Sequence, residues 1–491
     1  MLRILFSCVV IPGLFLLSGC SKGGSSNNQG SSNTTNSLKY VALGDSLTHG
    51  VQSNGISENF QDNSYPLRIA TQMGLASTFE QPLVANPGFQ GSQFNPTLTP
   101  LTFTFPSVIS ASPLSAPVTL LNSGLTRSYD NLGISGTALV DIVNTTSSAT
   151  NVHVDMVLRG LGTPLEQALS LNPTILSIWI GNNDVLGAAT NGGDLSRLTA
   201  LSVFESQYSN MISQLRSQSS ALVVLGNIPN VTDIPFVNFL DRIFSPSPAL
   251  GITTNVPVIF GTTLSPIDFG AGSGLFIPLL TQETNVIHVT LPALSQILNN
   301  GLGIPNEASL VALGIDSLTA QALVAGFISS GLTPSGIPLP GNLTITQSEQ
   351  NVIVDRIIAF NAVITAVAAT NFGMTVVDMN TALAQLRVQS IEGYTGRFVL
   401  IDPVDTGFSL DGVHTNNGGY AVVANIFIQR MNQAFGTNFP LGDTSVFRGQ
   451  YVNPLSAPTL PLADAVAIAV SEVTQMFSTP SKKETPERKE N

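Results

Sequence analysis

Cysteine is nearly missing from this chain of 491 residues: there are two, Cys8 and Cys20, both within the first twenty positions. A body without thiols excludes a disulfide framework and a thiolate metal site. Charge is scarce as well. Asp, Glu, Lys and Arg make up 10% of the chain, against about 25% in ordinary soluble domains, and Ser, Thr, Asn and Gly supply the polarity instead. The formal net charge of −12 excludes the basic footprint that nucleic-acid binding needs. Past the first twenty residues no uninterrupted apolar run reaches the ~20 residues of a bilayer span, although 43% of residues are hydrophobic and the mean hydropathy is +0.29. Aromatic residues are 7%, mostly Phe, and no aligned stacking platform for a polysaccharide is evident. No metal and no organic cofactor is expected.

What is present begins with an export signal. Arg3 precedes an apolar run from Ile4 to Leu17, too short for a span and weakened by Pro12 and Gly13, and Leu17-Ser18-Gly19-Cys20 closes it. That ending resembles the lipobox of bacterial lipoproteins, which implies cleavage after residue 19 and a lipid on Cys20. Residues 20–37, rich in Ser, Asn and Gly, read as a flexible tether. The expected mature protein is exported and held at a bacterial envelope, at the outer membrane or cell surface, through lipidated Cys20. An ordinary cleaved secretory signal is the alternative. Gly19-Cys20-Ser21-Lys22-Gly23 also fits a Gly-x-Ser-x-Gly pattern, but no strand precedes it and no helix follows, so it is discarded.

Beyond the tether, apolar runs at Lys39–Leu43, Arg127–Asn131, Thr174–Ile180, Ala221–Gly226 and Met374–Asp378 read as strands. Helical patterns cover Tyr65–Met73, Thr137–Val143, Pro164–Ser170, Phe204–Arg216, Gln347–Thr370 and Gly418–Phe435. This alternation predicts an α/β three-layer sandwich around a mostly five-stranded parallel sheet. Ligands of such sheets bind beyond the carboxyl ends of the strands, and Ser46, Gly133 and Asn183 all follow strands on that edge. Segments 80–125 and 233–344 break the alternation and read as insertions folding over the edge, with helices at Leu291–Leu298 and Leu310–Ile328. The expected division is a hydrolase domain over 38–440 and an extension over 441–491. In the extension, Phe439–Leu460 reads as loop, Leu462–Phe477 as one helix, and the remainder as a disordered tail.

Two short stretches carry the chemistry. In Gly44-Asp45-Ser46-Leu47 a serine sits on a tight strand-to-helix turn, and in Asp411-Gly412-Val413-His414 an acid and an imidazole lie three residues apart. A hydroxyl, a base to take its proton and a carboxylate to orient the base are the parts of a nucleophilic hydrolase. With Asn131-Leu132-Gly133-Ile134-Ser135-Gly136 and Gly181-Asn182-Asn183-Asp184 between them, four blocks stand in the order that marks the GDSL (SGNH-type) serine esterases and lipases, which this chain resembles. The resemblance implies a flavodoxin-like fold, Ser46 as nucleophile, His414 as base and Asp411 as orienting acid. It also implies an oxyanion hole made of the Ser46 N–H, the Gly133 N–H and the Asn183 side-chain amide. Asp45 and Asp184 read as structural carboxylates. His49 lies too near Ser46 in sequence to be its base, and His153 and His288 have no acidic or metal-ligand pattern beside them. Trp179 reads as sheet packing.

The expected substrate is a carboxylic ester, a lipid or long-chain acyl ester included, if the apolar insertions form an acyl groove; they serve equally well as cover for the sheet. An acyltransferase using the same triad and a non-catalytic envelope binding protein are the alternatives from other classes.

Overall fold

The computed structural model describes residues 38–89, 119–238, 279–312, 314–329, 332–399, 402, 404–453 and 456–461. Its centre is one sheet of five strands, numbered here in chain order: β1 (Tyr40–Gly44), β2 (Asn131–Gly133), β3 (Ile175–Trp179), β4 (Leu222–Gly226) and β5 (Met374–Val377). They lie in the order β2-β1-β3-β4-β5, every pair parallel. This is the doubly wound, flavodoxin-like order expected from the sequence, and its switch point lies between β1 and β3.

The strands are apolar at nearly every position because both faces are covered. Val41, Leu43, Leu176, Ile178, Val223 and Leu225 enter one core, packed with the helices Pro164–Ser170, Leu201–Gln218 and Gln347–Thr370. Tyr40, Ala42, Ile175, Trp179, Val224 and Val377 enter the other, under Tyr65–Gln72 and Asn417–Phe435. Trp179 therefore packs the sheet, with its indole N–H on the Asn227 carbonyl at 3.1 Å. Gln347–Thr370 is long and apolar enough to cross a membrane. It instead buries Ile353, Ile357, Phe360 and Ile364, an i, i+4, i+7, i+11 stripe, against the first core. A capping box between Thr346 and Glu349 starts it.

Several expected boundaries move. The second strand is Asn131–Gly133 rather than Arg127–Asn131, because the Arg127 guanidinium folds back onto the Asp130 carboxylate and the Ser128 carbonyl and bends the chain there. The helix expected over Thr137–Val143 shrinks to Asp141–Asn144. Carboxylates have captured the preceding amides: Asp141 accepts from Ala138 N and Asp184 from Leu139 N. Leu310–Ile328 divides into Glu307–Ala312 and Ser317–Ser329 around Gly314, at φ +88°. Val152–Leu158, Asn183–Thr190 and Met379–Val388 are helices that the sequence reading did not anticipate. Val286–Val289 of the insertion pairs antiparallel with Thr344–Thr346, where the insertion ends. Phe439–Leu460 is not plain loop: Gln450–Asn453 pairs antiparallel with Ser456–Pro461. The expected signal, Cys20, the expected tether, positions 90–118 and 239–278, and the helix and tail expected over 462–491 lie outside the described residues.

Candidate active site

Ser46 opens a four-residue helix, Ser46–His49, at the carboxyl end of β1. Residue 44 has to be glycine: a Cβ there would fall 2.0 Å from Thr48 Oγ1 and 2.5 Å from the Trp179 carbonyl oxygen. Gly50, at φ +90°, ends the helix. Asp45 is the N-cap. One of its oxygens accepts from Leu47 N at 3.0 Å and the other from Asn182 Nδ2 at 2.8 Å. At the first helical position the Ser46 N–H has no intrahelical acceptor and remains available to a ligand.

Across the edge, the loop before Asn417–Phe435 brings up the imidazole. His414 Nε2 lies 2.8 Å from Ser46 Oγ, and His414 Nδ1 lies 2.7 Å from Asp411 Oδ2. All three residues are buried, with Ser46 and His414 retaining 8% and 7% exposure. The Asp411 carboxylate takes four further donors: the amides of Val413, His414 and Asn54 and the Ser409 hydroxyl, at 2.6–3.2 Å. Burial alone would raise its pKa, but the His414 charge and these hydrogen bonds hold it below the usual carboxylate range.

Sequence reading missed the braces of this loop. Gln52–Gly55 is a tight turn with Ser53 and Asn54 at φ 54° and 59°. Ser53 N donates to Ser409 Oγ at 2.8 Å, Leu410 N to Ser53 Oγ at 3.2 Å, and Gln52 Nε2 to Asn417 Oδ1 at 2.7 Å. The loop following the nucleophile thus holds the loop carrying acid and base. The Gly412 carbonyl accepts from Phe236 N at 2.9 Å, so the second insertion begins by bracing the same loop. A Ser-Asn-Gly run signals a turn, but nothing local in the sequence names its partner.

Of the expected oxyanion donors, Asn183 faces the site and Gly133 does not. Asn183 Nδ2 donates one hydrogen to the Thr137 carbonyl at 2.7 Å, which orients the amide and leaves a second hydrogen for a ligand. The Gly133 N–H is taken by Asn131 Oδ1 at 2.9 Å. A Cβ on Gly133 would lie 2.3 Å from His49 N and 2.5 Å from the Thr48 carbonyl carbon. This glycine lets the Ser46 helix sit against β2, a packing role that corrects the sequence expectation. In the turn that follows, Ile134, Ser135 and Thr137 donate to Gly44 O, His49 Nδ1 and Ile134 O. Among the described residues, Gly136 alone in this stretch has an amide with no acceptor; it is exposed, at φ +79°.

The other ionisable groups have structural partners. Asp184 accepts from Leu139 N and the Thr199 hydroxyl, fastening two connections to its helix. His49 is fully buried, 5.5 Å from His153 in an edge-on ring contact. Burial, and then the His153 charge, push its pKa well below the ordinary value, so it is neutral near pH 7. His288 pairs with Gln350 at 3.1 Å. Burial lifts Asp45 from 3.8 to about 6, against the lowering effect of its hydrogen bonds from Asn182 and Leu47. A folded-state pKa above the unfolded one means that this group's stabilisation is present at low pH and lost as pH rises. The loss, about 3 kcal/mol, should fall between pH 4 and pH 6. Urea unfolding at pH 4 and pH 7 should show Asp45→Asn gaining stability relative to the parent protein at the higher pH; a difference independent of pH would contradict the assignment.

Ser46 and His414 open onto a shallow cleft of about 380 Å³, the open solvent at its mouth included, walled by Asn183, Leu186, Pro229, Val231 and Ile234. A buried hydroxyl–imidazole–carboxylate chain facing a cleft beside unclaimed N–H donors can carry acyl transfer. No curated protein matches the chain. The family model described as GDSL-like lipase/acylhydrolase matches residues 40–251. That range takes in Ser46, Gly133, Gly136 and Asn183, and the acid and base lie beyond it. Over residues 40–251 the chain therefore carries a GDSL-like lipase/acylhydrolase domain.

Proposed function

We propose that the protein hydrolyses carboxylic esters through an acyl-enzyme on Ser46. The observation that carries the reading is the continuous relay of 2.8 Å and 2.7 Å from Ser46 Oγ through His414 to Asp411. In the first half-reaction Ser46 Oγ attacks the ester carbonyl carbon as His414 Nε2 takes its proton. The tetrahedral adduct collapses, and His414 returns that proton to the departing alcohol. Water, deprotonated by His414, then attacks the acyl-enzyme, releasing the acid and restoring Ser46. Asp411 holds the Nδ1–H tautomer throughout, and is itself kept ionised by its donors.

Three donors are assigned to the oxyanion: the Ser46 N–H, the second hydrogen of Asn183 Nδ2 and, in place of Gly133, the Gly136 N–H. Losing one such donor typically costs about 10²–10³ in kcat. Asn183→Ala is expected to fall in that range on a chromogenic ester with KM little changed. A loss below threefold would remove Asn183 from the hole. Adding a primary alcohol during turnover and measuring the transesterified product separates hydrolysis from acyl transfer to an acceptor.

We also propose that the protein is exported and anchored at a bacterial envelope through lipidated Cys20. The support is the leader, the Leu-Ser-Gly-Cys junction and the tether that follows. Intact-mass analysis of the mature protein should find an N-terminal lipidated cysteine, and Cys20→Ala should leave the membrane fraction. Mature Cys20 bearing no lipid would refute the anchor.

A further inference from the structure

Behind the nucleophile cleft lies a second cavity that the relay does not use. It is an apolar recess of about 640 Å³, the open solvent at its mouth included. Two helices face each other across it. Met379, Ala382, Leu383 and Leu386 line it from one, and Gly419, Val422, Val423 and Ile426 from the other. Each set follows i, i+3, i+4, i+7, the spacing of a stripe meant to be covered, yet between these stripes space remains. Asp378 caps the first helix and accepts from Asn227 Nδ2 at 2.9 Å, so that wall is fixed to the ends of β4 and β5.

The lining is almost free of hydrogen-bonding groups. Trp179 Nε1 is satisfied by the Asn227 carbonyl and the Tyr394 hydroxyl by the Thr444 carbonyl, so both rings present hydrocarbon edges. Thr415 alone adds a polar side chain. A sugar, amino acid or phosphate entering would lose its hydration without replacement, which is costly. An aliphatic chain would not.

Four residues line both spaces: Leu47, Pro229, Ile234 and Val413. Leu47 follows the nucleophile and Val413 precedes the base, so the wall that cleft and cavity share stands beside the reacting carbonyl. We propose that this cavity receives the acyl chain of the ester, making the preferred substrates medium-chain or longer aliphatic acyl esters. The proposal rests on the hydrolase reading above. The acyl site comes from core helices after β5. Among the described residues, the insertion over 233–344 adds Ile234 to the walls and the segment 80–125 adds none.

The test is a p-nitrophenyl ester series from acetyl to dodecanoyl on the full-length protein, with Ala382→Phe, which fills the cavity, and Leu386→Ala, which enlarges it. Each methylene buried should raise kcat/KM about fourfold until the cavity is full. Ala382→Phe should end the rise at a shorter chain, and its octanoyl-to-acetyl ratio should fall at least tenfold. Leu386→Ala should move the optimum to longer chains. Turnover of short esters with no rise along the series, or an optimum that neither variant moves, would overturn the cavity assignment alone. Folded protein that cleaves no ester of any length would overturn the hydrolase reading and this inference together.

Discussion

Ser46→Ala should abolish ester turnover, with a loss on the order of 10⁶ in kcat, the scale seen when a nucleophile is removed from a Ser-His-Asp relay. Among the described residues the Ser46 hydroxyl is the group placed to form the covalent bond, since His414 Nε2 points at Ser46 Oγ from 2.8 Å. The neighbouring imidazole, His49, is buried, with Nδ1 turned to Ser135 N. Folding should be untouched. The hydroxyl makes no hydrogen bond besides that to His414 among the described residues, and alanine is a better helix former than serine. The variant should keep the parent Tm while losing its activity. Comparable initial rates from both proteins in a chromogenic assay would remove Ser46 from the mechanism.

The second large effect is expected at Asp411. Asp411→Asn should lower kcat by about 10⁴ while leaving ester binding nearly intact. Its Oδ1 accepts from the amides of Val413 and His414 and from the Ser409 hydroxyl, and these donors hold the amide oxygen at that position. The new NH₂ then faces His414 Nδ1 and Asn54 N. The imidazole responds by accepting at Nδ1, which moves its hydrogen to Nε2, where it meets Ser46 Oγ and cannot take a proton. The Asn54 N–H then meets a donor in place of its acceptor, which should also lower stability modestly. The signature is a kcat collapse with little change in KM. Near-parental kcat would mean that Asp411 only braces the loop.

The sequence revealed what is local and left hidden what depends on direction. β1, β3, β4 and β5 were legible because both their faces are covered, so each reads as a nearly continuous apolar run, broken only by Ser177 in β3 and Thr375 in β5. β2 was misplaced because three residues give too little pattern and Arg127 curls back on Asp130 beside it. The acid–base pair was legible because Asp411 and His414 are separated by a single turn. Gly133 was misassigned because a glycine in a sequence does not disclose where its N–H points; the Asn131 carboxamide two residues earlier has claimed it. Ser53 and Asn54 escaped notice because their partners lie more than 350 positions downstream. The apolar cavity was invisible for another reason: stripes such as Met379–Leu386 have the period of ordinary core, and the space between two such stripes leaves no mark on either.

Covalent labelling probes the centre of this account without assuming a substrate. A fluorophosphonate reacts with a serine whose proton a neighbouring base removes, and it leaves a stable phosphonyl adduct on that oxygen. Incubated with the intact protein and followed by peptide mass spectrometry, it should add one phosphonyl group, on the peptide containing Ser46. Labelling should disappear in His414→Ala. Protein that stays unlabelled, or an adduct on another residue with Ser46 free, would contradict the assignment of Ser46 as the activated nucleophile.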